Sequence, residues 1–419
     1  MWIACICLCL FLLFGMAAVA KTTLELWTKF ADERLAPHRM LMEEYERLNP
    51  DIKIEYATVT GDYSTKLVVA IAAGAAPDVA QVFPTLSIPE FAHKGLIQPL
   101  DRFMTAAGIK ANEFAPGAYE SWRYDGKTWA MTCDIDVNMF YWHKEIFARE
   151  GLDPDAYPVT IDELDSLARR LTRTDGSGNL TRLGFVPWLG DWLTWAAPWN
   201  VEWYDAETRT VTADHTNAVA MMEWMASYAL RYEPGQINAL TARISNYHHG
   251  DAFLKELLAM QVTGPWLIGD MYQFAPGQWG MAPLPYPQQG LPNASTGNAL
   301  TFVIPTGAKH PEEAFKFIHW RTDFEQSMKL LDMGRSHVPV RIQALRAFVR
   351  RFPDYLPVLD VLTGPNLKPF MPMMPVSAEY SRELRWAVDQ VRSLQMTPQA
   401  ALAQVTQRVQ VRLDETLGK

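Results

Sequence analysis

The chain has 419 residues, of which 49% are hydrophobic and 20% are charged, and its formal net charge is −9. This length is too great for one hydrophobic core and predicts two or three globular domains. The acidic balance and the lack of any Lys/Arg-rich run argue against a nucleic-acid-binding protein, and the net charge mildly disfavours a strongly anionic ligand.

The N-terminus has the pattern of a secretory signal peptide. Residues 2–14 are an apolar run too short for a comfortable membrane span, and Ala18-Val19-Ala20 is a cleavage site of the A-x-A type. We therefore predict that residues 1–20 are removed after Ala20 and that the mature protein is periplasmic. Three of the four cysteines leave with this segment, so Cys133 is predicted to be a buried structural thiol and no internal disulfide can form.

The first part of the mature chain alternates between strand and helix patterns. This alternation predicts an α/β lobe with a parallel sheet, in which ligands bind at the carboxyl ends of the strands. The loops 27–32 and 83–87 take such positions, and we assign Trp27 and Lys29 of the first loop, with Tyr63 of the following helix, to the predicted ligand site. The predicted elements are strands at 24–27, 52–56 and 79–83, a helix at 35–48, and a helix that Asp62 caps and that runs to Ala73.

A tryptophan-rich stretch at residues 188–203 holds five of the 15 tryptophans, at spacings of four, three, four and four. This period predicts a helix from Trp188 to Ala197, ended by Pro198. Two interpretations stay open: the indoles form a core stripe, or they line a cleft where sugar rings stack on them. Asp191 beside Trp192 would add an acceptor for hydroxyl groups.

Beyond about residue 133 the patterns predict a second lobe, joined to the first by several crossings that form a hinged cleft. The rest of the chain is mostly helical after a proline-rich connector at 283–292. The elements predicted here are a strand-rich segment at 129–142, a helix at 144–150, a helix with a capping box at Thr160 and Glu163, a helix capped by Asp214, a strand at 257–263, a helix opened by Gly264-Pro265-Trp266, a strand at 299–304, and helices at 311–320, 323–333, 341–350, 377–394 and 398–417.

The common nucleotide-binding, zinc-binding and nucleophile motifs are absent from the sequence. The adjacent His248 and His249 are predicted to lie in a solvated loop. Asp134 and Asp136 share one face of a strand, so they would lie on the same side of a substrate, whereas a glycosidase needs two carboxylates across the bond. We therefore predict no catalytic residue, no metal and no cofactor, and we interpret these carboxylates as acceptors for hydroxyl groups.

Three further polar candidates have structural alternatives. The segment Ser295–Asn298 is predicted to be a polar loop, whose Gly297 and Asn298 could contact a ligand, although an ordinary turn fits equally well. Arg335 follows Gly334 at a helix end and could contact a ligand or form a surface salt bridge. Tyr380 lies near the start of a late helix, where a ligand-facing, core or surface position is open.

The order and spacing of several segments resemble the extracellular solute-binding proteins of ABC importers, in the large family that includes malto-oligosaccharide binders. The resemblance covers nearly the whole mature chain. Its segments are LELWTKF at 24–30, YERLNPDIKIE at 45–55, KLVVAIAAGAAPDVAQV at 66–82, GLIQPLD at 95–101, DGKTWAM at 125–131, FYWHKEIFAREGLD at 140–153, AMQVTGPW at 259–266, WGMAPLP at 279–285 and STGNALTFVIPTGAKHPEEAFKFI at 295–318.

The resemblance implies the type II periplasmic-binding-protein fold, with two α/β lobes and a ligand cleft that closes. Hinge crossings are expected near Thr132, Pro283 and Trp320. Residues 21–132 and 284–320 would then form the first lobe, and residues 133–283 and 321–419 the second.

The resemblance also implies roles for single residues. Trp266 matches the sugar-stacking tryptophan of the family's G-P-W, and Asp136 matches a hinge-proximal acidic ligand residue. Thr194-Trp195 resembles a T-W pair, which would place Trp192 at a stacking position and Trp195 in the core. The chain departs from many relatives at Asn200-Val201, where they have Gly-Gly, and at 142–144.

These expectations describe a monomeric, non-enzymatic protein that binds a di- or oligosaccharide and delivers it to an ABC permease. Within the family, the alternative is a sugar alcohol or sn-glycerol-3-phosphate binder, with Lys29, Arg335 and the 295–298 segment on the phosphate. The alternative from another class is a secreted carbohydrate-cleaving enzyme.

Overall fold

The computed structural model describes residues 21–29, 32–243, 251–334 and 338–418. The predicted signal peptide, the His248-His249 pair and Arg335 lie outside these ranges. Among the residues that are described, no helix has both the length and the apolar character needed to cross a membrane.

The strands belong to three main sheets and three two-stranded ribbons. In chain order they are β1 (Thr22–Thr28), β2 (Ile52–Thr58), β3 (Val79–Val82), β4 (Arg123–Tyr124), β5 (Lys127–Thr128), β6 (Asp134–Val137), β7 (Met139–His143), β8 (Arg173–Thr174), β9 (Leu180–Arg182), β10 (Tyr204–Asp205), β11 (Thr210–Val211), β12 (Met260–Thr263), β13 (Trp279–Ala282), β14 (Ser295–Asn298), β15 (Thr301–Val303), β16 (Val338–Pro339) and β17 (Leu367–Pro369).

The helices surround these sheets. They are α1 (Asp32–Leu48), α2 (Tyr63–Ala72), α3 (Pro84–His93), α4 (Asp101–Ala106), α5 (Pro116–Glu120), α6 (Lys144–Arg149), α7 (Ile161–Leu171), α8 (Thr216–Tyr232), α9 (Pro234–Thr241), α10 (Asp251–Leu254), α11 (Trp266–Phe274), α12 (Pro311–Arg321), α13 (Phe324–Gly334), α14 (Ile342–Arg351), α15 (Leu356–Thr363), α16 (Ser377–Arg392) and α17 (Pro398–Leu417). Short 3-10 helices lie at Ala111–Glu113, Trp192–Ala196 and Pro353–Tyr355.

The first sheet has the order β15-β3-β1-β2. Its strands β1, β2 and β3 are parallel, as the strand–helix alternation predicted, and β15 joins the edge antiparallel to β3. The side chain of Asp62 caps α2 by accepting a hydrogen bond from the amide of Thr65 at 3.1 Å, also as predicted. The apolar residues of this sheet and its helices form the first core, which includes Leu24, Ile54, Val79 and Phe302.

The second sheet places β7 between the antiparallel strands β12 and β13. All residues of β7 are buried, because its two faces pack on different cores. Met139 and Tyr141 belong to the first core, whereas Phe140 and Trp142 belong to the second core, which also includes Trp195 and Met221.

A mixed sheet of order β16-β6-β14-β17 joins these two units. Strand β6 leads directly into β7 of the second sheet, with Asn138 between them. Near the start of β6 the hydroxyl of Thr132 donates to the carbonyl of Leu300 at 3.1 Å, and Arg321 donates to the sulfur of Cys133 at 3.1 Å. The chain segments at 132–133, 300 and 321 are thus tied together side by side.

Cys133 is buried, as predicted, and is 3% exposed. Desolvation raises the pKa of its thiol to about 12, with Arg321 acting in the opposite direction. The thiol is therefore protonated at neutral pH, which fits a structural role.

The helices α13 and α15 contact elements of both predicted lobes. Helix α13 packs on α1, where Lys329 contacts Glu44 at 2.6 Å, and α15 packs on α5. Side chains of 338–367 belong to the first core, and the second core begins again at Met371. Residues 324–363 thus contribute to the first core, which also includes Leu267 and Trp279 of the predicted second lobe, and the division into lobes stays a prediction.

The predicted helix from Trp188 to Ala197 is wrong. Only the 3-10 helix Trp192–Ala196 forms, because Gly190 has a φ of +101° and forms a β-bridge with Val262. A left-handed residue paired to a strand is incompatible with a continuous α-helix.

Two smaller predictions are also corrected. The segment Ser295–Asn298 is the strand β14, paired on both sides, and not a loop. Helix α8 is capped by His215, whose Nδ1 accepts from the amide of Asn217, whereas the carboxylate of Asp214 accepts from the hydroxyl of Thr406.

Candidate functional site

Polar residues from four segments meet where the second and mixed sheets adjoin. Asn298 of β14 lies opposite Asp136 of β6 in the strand register. Met139 pairs with Thr263, so Asn138 comes next to the start of the Gly264-Pro265-Trp266 turn. The bridge between Gly190 and Val262 brings Asp191 to the same place.

Asp191 and Asn138 are in direct contact, although they are 53 residues apart in the chain. The amide nitrogen of Asn138 donates to the carboxylate of Asp191 at 3.2 Å. Burial raises the pKa of Asp191 to about 6, and the Asn138 hydrogen bond and the charge of Arg385 oppose that shift. At neutral pH the group is mostly a carboxylate, available as a hydrogen-bond acceptor.

Two asparagine carbonyl oxygens near this contact are buried without a hydrogen-bond partner. They are the Oδ1 atoms of Asn138 and Asn298. A buried acceptor without a partner costs free energy, on the order of 1–3 kcal/mol, unless something donates to it. With Asp136 and Asp191, these atoms form a cluster of acceptors brought together by the strand register, the Gly190 bridge and the Asn138 hydrogen bond. This cluster of Asp136, Asn138, Asp191 and Asn298, called the acceptor-rich pocket below, suits a ligand that presents hydroxyl donors.

Hydrogen bonds hold the tryptophan-rich segment against this pocket. The hydroxyls of Thr194 and Thr296 are 2.8 Å apart, and Thr194 also accepts from the amide of Thr296 at 3.3 Å. The hydroxyl of Ser295 donates to the carbonyl of Asn138 at 2.6 Å. The segment, β14 and the β6–β7 junction are therefore held in a single arrangement.

Gly297 has a packing role in the structure. A Cβ built on it would lie 2.7 Å from Cδ1 of Ile135. It is buried and pairs with Val137 and Pro369 of neighbouring strands, so it was wrong to expect it in a loop that offers amide groups to a ligand.

The aromatic candidates differ in exposure. Trp266 is half-buried at the start of α11 and packs against the first core, where Gly264 leaves room for its ring. Trp192 is 9% exposed, whereas Trp195 is fully buried and its indole N–H donates to the carbonyl of Pro187 at 3.1 Å. Trp195 is a core residue, as the resemblance implied.

Three predicted residues of the first lobe form a group of their own. The hydroxyl of Tyr63 donates to the carbonyl of Trp27 at 3.1 Å and accepts from the amide of Gln81 at 3.2 Å, so it ties the ends of β1 and β3 together. The ammonium of Lys29 lies over the rings of Tyr63 and Phe83, at 5.1 and 4.9 Å from their centroids. Tyr63 thus positions Trp27 and Lys29.

A groove of about 490 Å³ lies between this group and the helices α16 and α17. Lys29, Asp62 and Phe83 line one side, and Glu379 and Arg382 line the other. Sequence reasoning missed Arg382, and it also missed Asn138. The signal for Arg382 was its three-residue spacing from Arg385, which places both on one side of a helix.

Tyr380 belongs to neither the pocket nor the groove. It is fully buried, and its hydroxyl donates to the carbonyl of Trp203 at 2.8 Å. This residue packs the second core, so the ligand-facing prediction is wrong. The part of the chain that the structure describes also contains no cluster of three or more His, Cys, Asp or Glu residues arranged to hold a metal ion.

A family model for bacterial extracellular solute-binding proteins matches residues 27–325. Among curated proteins, the chain is 24% identical to a maltotriose-binding protein of Pyrococcus abyssi, over 76% of this chain and 67% of that protein. It is 26% identical to the sn-glycerol-3-phosphate-binding periplasmic protein UgpB of Shigella dysenteriae, over 68% of this chain and 67% of that protein.

Solved structures show the same similarity. The protein CpMnBP1 with mannotriose bound superposes with a TM-score of 0.83 at 26% identity, covering 92% of this chain and 99% of that one. A solute-binding protein of Thermotoga lettingae bound with α-D-tagatose gives a TM-score of 0.77 at 21% identity, covering 94% and 100%.

Proposed function

The chain belongs to the bacterial extracellular solute-binding protein family, and we propose that it binds a di- or oligosaccharide between its two lobes. Its fold is the two-lobed type II fold of periplasmic binding proteins. Contacts to both lobes favour the closed form, which passes the sugar to the permease of an ABC importer. The mature protein acts as a periplasmic monomer after cleavage at Ala20.

The observation that carries the proposal is the acceptor-rich pocket. Its buried Oδ1 atoms of Asn138 and Asn298 and the carboxylate of Asp191 need donors, and sugar hydroxyls supply them. The half-buried ring of Trp266 follows directly on the neighbouring strand and offers an apolar plane for a sugar ring. Relatives and structural neighbours named for maltotriose and mannotriose support the same class of ligand.

The negative charges of the acceptor-rich pocket disfavour sn-glycerol 3-phosphate as its ligand. A phosphate dianion needs cationic or amide donors, and it would be repelled by the carboxylates of Asp136 and Asp191. Because some relatives are named for binding sn-glycerol 3-phosphate, this ligand remains the alternative within the family.

The test is a fluorescence titration of the mature protein with glucose, maltose, trehalose, sucrose, raffinose, mannobiose, sorbitol and sn-glycerol 3-phosphate. We expect a saturable change with at least one di- or oligosaccharide, and we expect Trp266→Ala to weaken its binding at least tenfold. The matched control is Trp386→Ala, since Trp386 is also half-buried but stacks with Arg408 on α17. A response to sn-glycerol 3-phosphate alone would contradict the proposal.

A further inference from the structure

The groove between α2, α3 and the helices α16 and α17 contains cations from both lobes. Lys29 and Lys94 come from the first lobe, and Arg382 and Arg412 from the second. Three carboxylates, those of Asp62, Glu90 and Glu379, also line the groove, so four cations against three carboxylates give it a small positive charge on a chain with a net charge of −9. This charge therefore calls for a local explanation.

Two of the four cations are neutralised within their own lobe. Lys94 contacts the carboxylate of Glu90 at 2.6 Å, and Arg412 contacts that of Glu379 at 3.2 Å. Among the side chains that the structure describes, which leaves out those of residues 30–34, no carboxylate forms an ion pair with Lys29 or Arg382. These two are thus the groove cations without an ion-pair partner in that part of the chain.

Asp62 is the other carboxylate that lines the groove, and it already has a structural role. It accepts hydrogen bonds from the amide and the hydroxyl of Thr65, at 3.1 and 2.8 Å, and so caps α2. Its charge acts on both Lys29 and Arg382 without contacting either. One shared carboxylate against two cations leaves an excess of positive charge.

The surroundings of Lys29 also favour a bound anion. Desolvation lowers the pKa of its ammonium, and the attraction of Asp62 only partly opposes that shift. Lys29 is exposed overall and its ammonium rests over two aromatic rings, so an anion in the groove can approach it directly.

We propose that the groove is an anion subsite, and that the carbohydrate bound by this protein carries a carboxylate or phosphate group that lies between Lys29 and Arg382. The inference rests on the proposed function, because it describes the second end of the same ligand. The two cations belong to opposite lobes, so without an anion their repulsion opposes closure. With the anion between them, both attract it, and recognition of the charge is coupled to closure.

Helix α16 connects the subsite with the acceptor-rich pocket. Arg382 lines the groove. Arg385 follows three residues later on the same side of the helix, and its positive charge lowers the pKa of Asp191. The hydroxyl-rich end of the ligand would occupy the pocket, and the acidic end would reach the groove. A ligand of this kind is a short acidic saccharide.

The test compares acidic saccharides with their neutral counterparts by calorimetry on the mature protein. The pairs are maltobionate with maltose, cellobionate with cellobiose, trehalose 6-phosphate with trehalose, and sucrose 6-phosphate with sucrose. The acidic member of at least one pair should bind at least tenfold more tightly, and this preference should decrease with added salt. The aldobionate and phosphate pairs separate the two sources of negative charge.

The variants test the assignment of the subsite. Arg382→Gln should reduce the acid-to-neutral ratio at least fivefold while the affinity for the neutral sugar changes little. Lys29→Gln should reduce the same ratio at least fivefold. Arg392→Gln is the matched control, since Arg392 is also exposed on α16 but pairs with Asp389 away from the groove. Circular dichroism melting checks that each variant folds.

The outcomes separate this inference from the proposed function. Binding of neutral sugars with no preference for the acidic members, or a preference that Arg382→Gln leaves intact, would overturn the anion subsite alone. Binding of inorganic phosphate or sn-glycerol 3-phosphate, with no saccharide of either kind bound, would overturn the proposed function and this inference with it.

Discussion

Asp191 shows how burial and function compete at a single residue. Its carboxylate is enclosed beside Asn138, and burial raises its pKa to about 6. The folded protein therefore holds a proton that the unfolded chain releases near pH 4. The stabilisation from that proton is fully present below about pH 4 and is lost as the pH rises towards 6.

Replacement of Asp191 with Asn should remove this pH dependence. We expect Asp191→Asn to be more stable than the unmodified protein at pH 7, by about 2 kcal/mol, and to show little difference at pH 4. Urea unfolding at pH 4, 5, 6 and 7 measures the difference directly. Equal differences at all four values would show that Asp191 titrates normally.

The same substitution separates stability from binding. Asn at this position can still accept from the amide of Asn138 but lacks the negative charge that strengthens a hydrogen bond from a sugar hydroxyl. A variant that is more stable yet binds its sugar more weakly would identify Asp191 as a ligand residue. Unchanged affinity would assign it a structural role only.

Single residues were predictable to different degrees. Asp136, Asp191 and Asn298 were named from the resemblance and from neighbouring residues in the chain, and the structure brings them near one another, while their contact with a ligand stays a prediction. Asn138 was missed, because its importance comes from a contact 53 residues away. Tyr380 was misassigned, because the sequence of α16 does not reveal which of its faces packs on the second core.

At the scale of elements, the loop that carries Asp191 and Trp192 depends on Gly190. This residue has a φ of +101°, and a Cβ on it would lie 2.3 Å from the carbonyl oxygen of Val262. Any side chain here must move the loop away from β12. The position of the acceptor-rich pocket therefore depends on a single glycine.

Gly190→Ala should weaken sugar binding at least tenfold and lower the free energy of unfolding by about 1–3 kcal/mol. Calorimetry and urea unfolding measure the two effects. Gly176→Ala is the matched control, since a Cβ there meets nothing within 4 Å. Normal affinity in Gly190→Ala would mean that the loop can shift without disturbing the pocket.

The tryptophan-rich stretch shows the limit of periodicity. Spacings of three and four residues predicted an α-helix, yet Gly190 is paired with a strand and only Trp192–Ala196 forms a 3-10 helix. The pairing with β12 outweighs local periodicity, which is a weak determinant by itself. By contrast, the capping box of Thr160 and Glu163 was predicted correctly, because all its contacts lie within four residues.

At the scale of the whole molecule, two cores meet at a mixed sheet, and α3 packs directly on α16 beside the groove. Leu86 of α3 packs against the second core, and the ring of His93 lies 3.3 Å from the carbonyl of Thr416. Closure on a ligand requires that these contacts separate and re-form.

Closure predicts a change of overall size. Small-angle scattering of the mature protein should give a radius of gyration of roughly 21 Å or somewhat more without ligand, as expected for a compact chain of this length. It should decrease on saturation with the sugar that responds in the titration. Trp266→Ala at the same sugar concentration provides the control, and an unchanged radius with bound sugar would contradict lobe closure.

The sequence by itself determined the α/β class, the family, the bounds of eight helices to within three residues, and the fact that Cys133 is the one cysteine after residue 9. These properties depend on composition, local patterns and caps, which act within a few residues. The tertiary structure decided which tryptophans are buried, that Ser295–Asn298 is a strand, and that residues 324–363 contribute to the first core. Each of these depends on contacts between distant segments, because a periodic pattern shows which residues share a face but not what that face packs against.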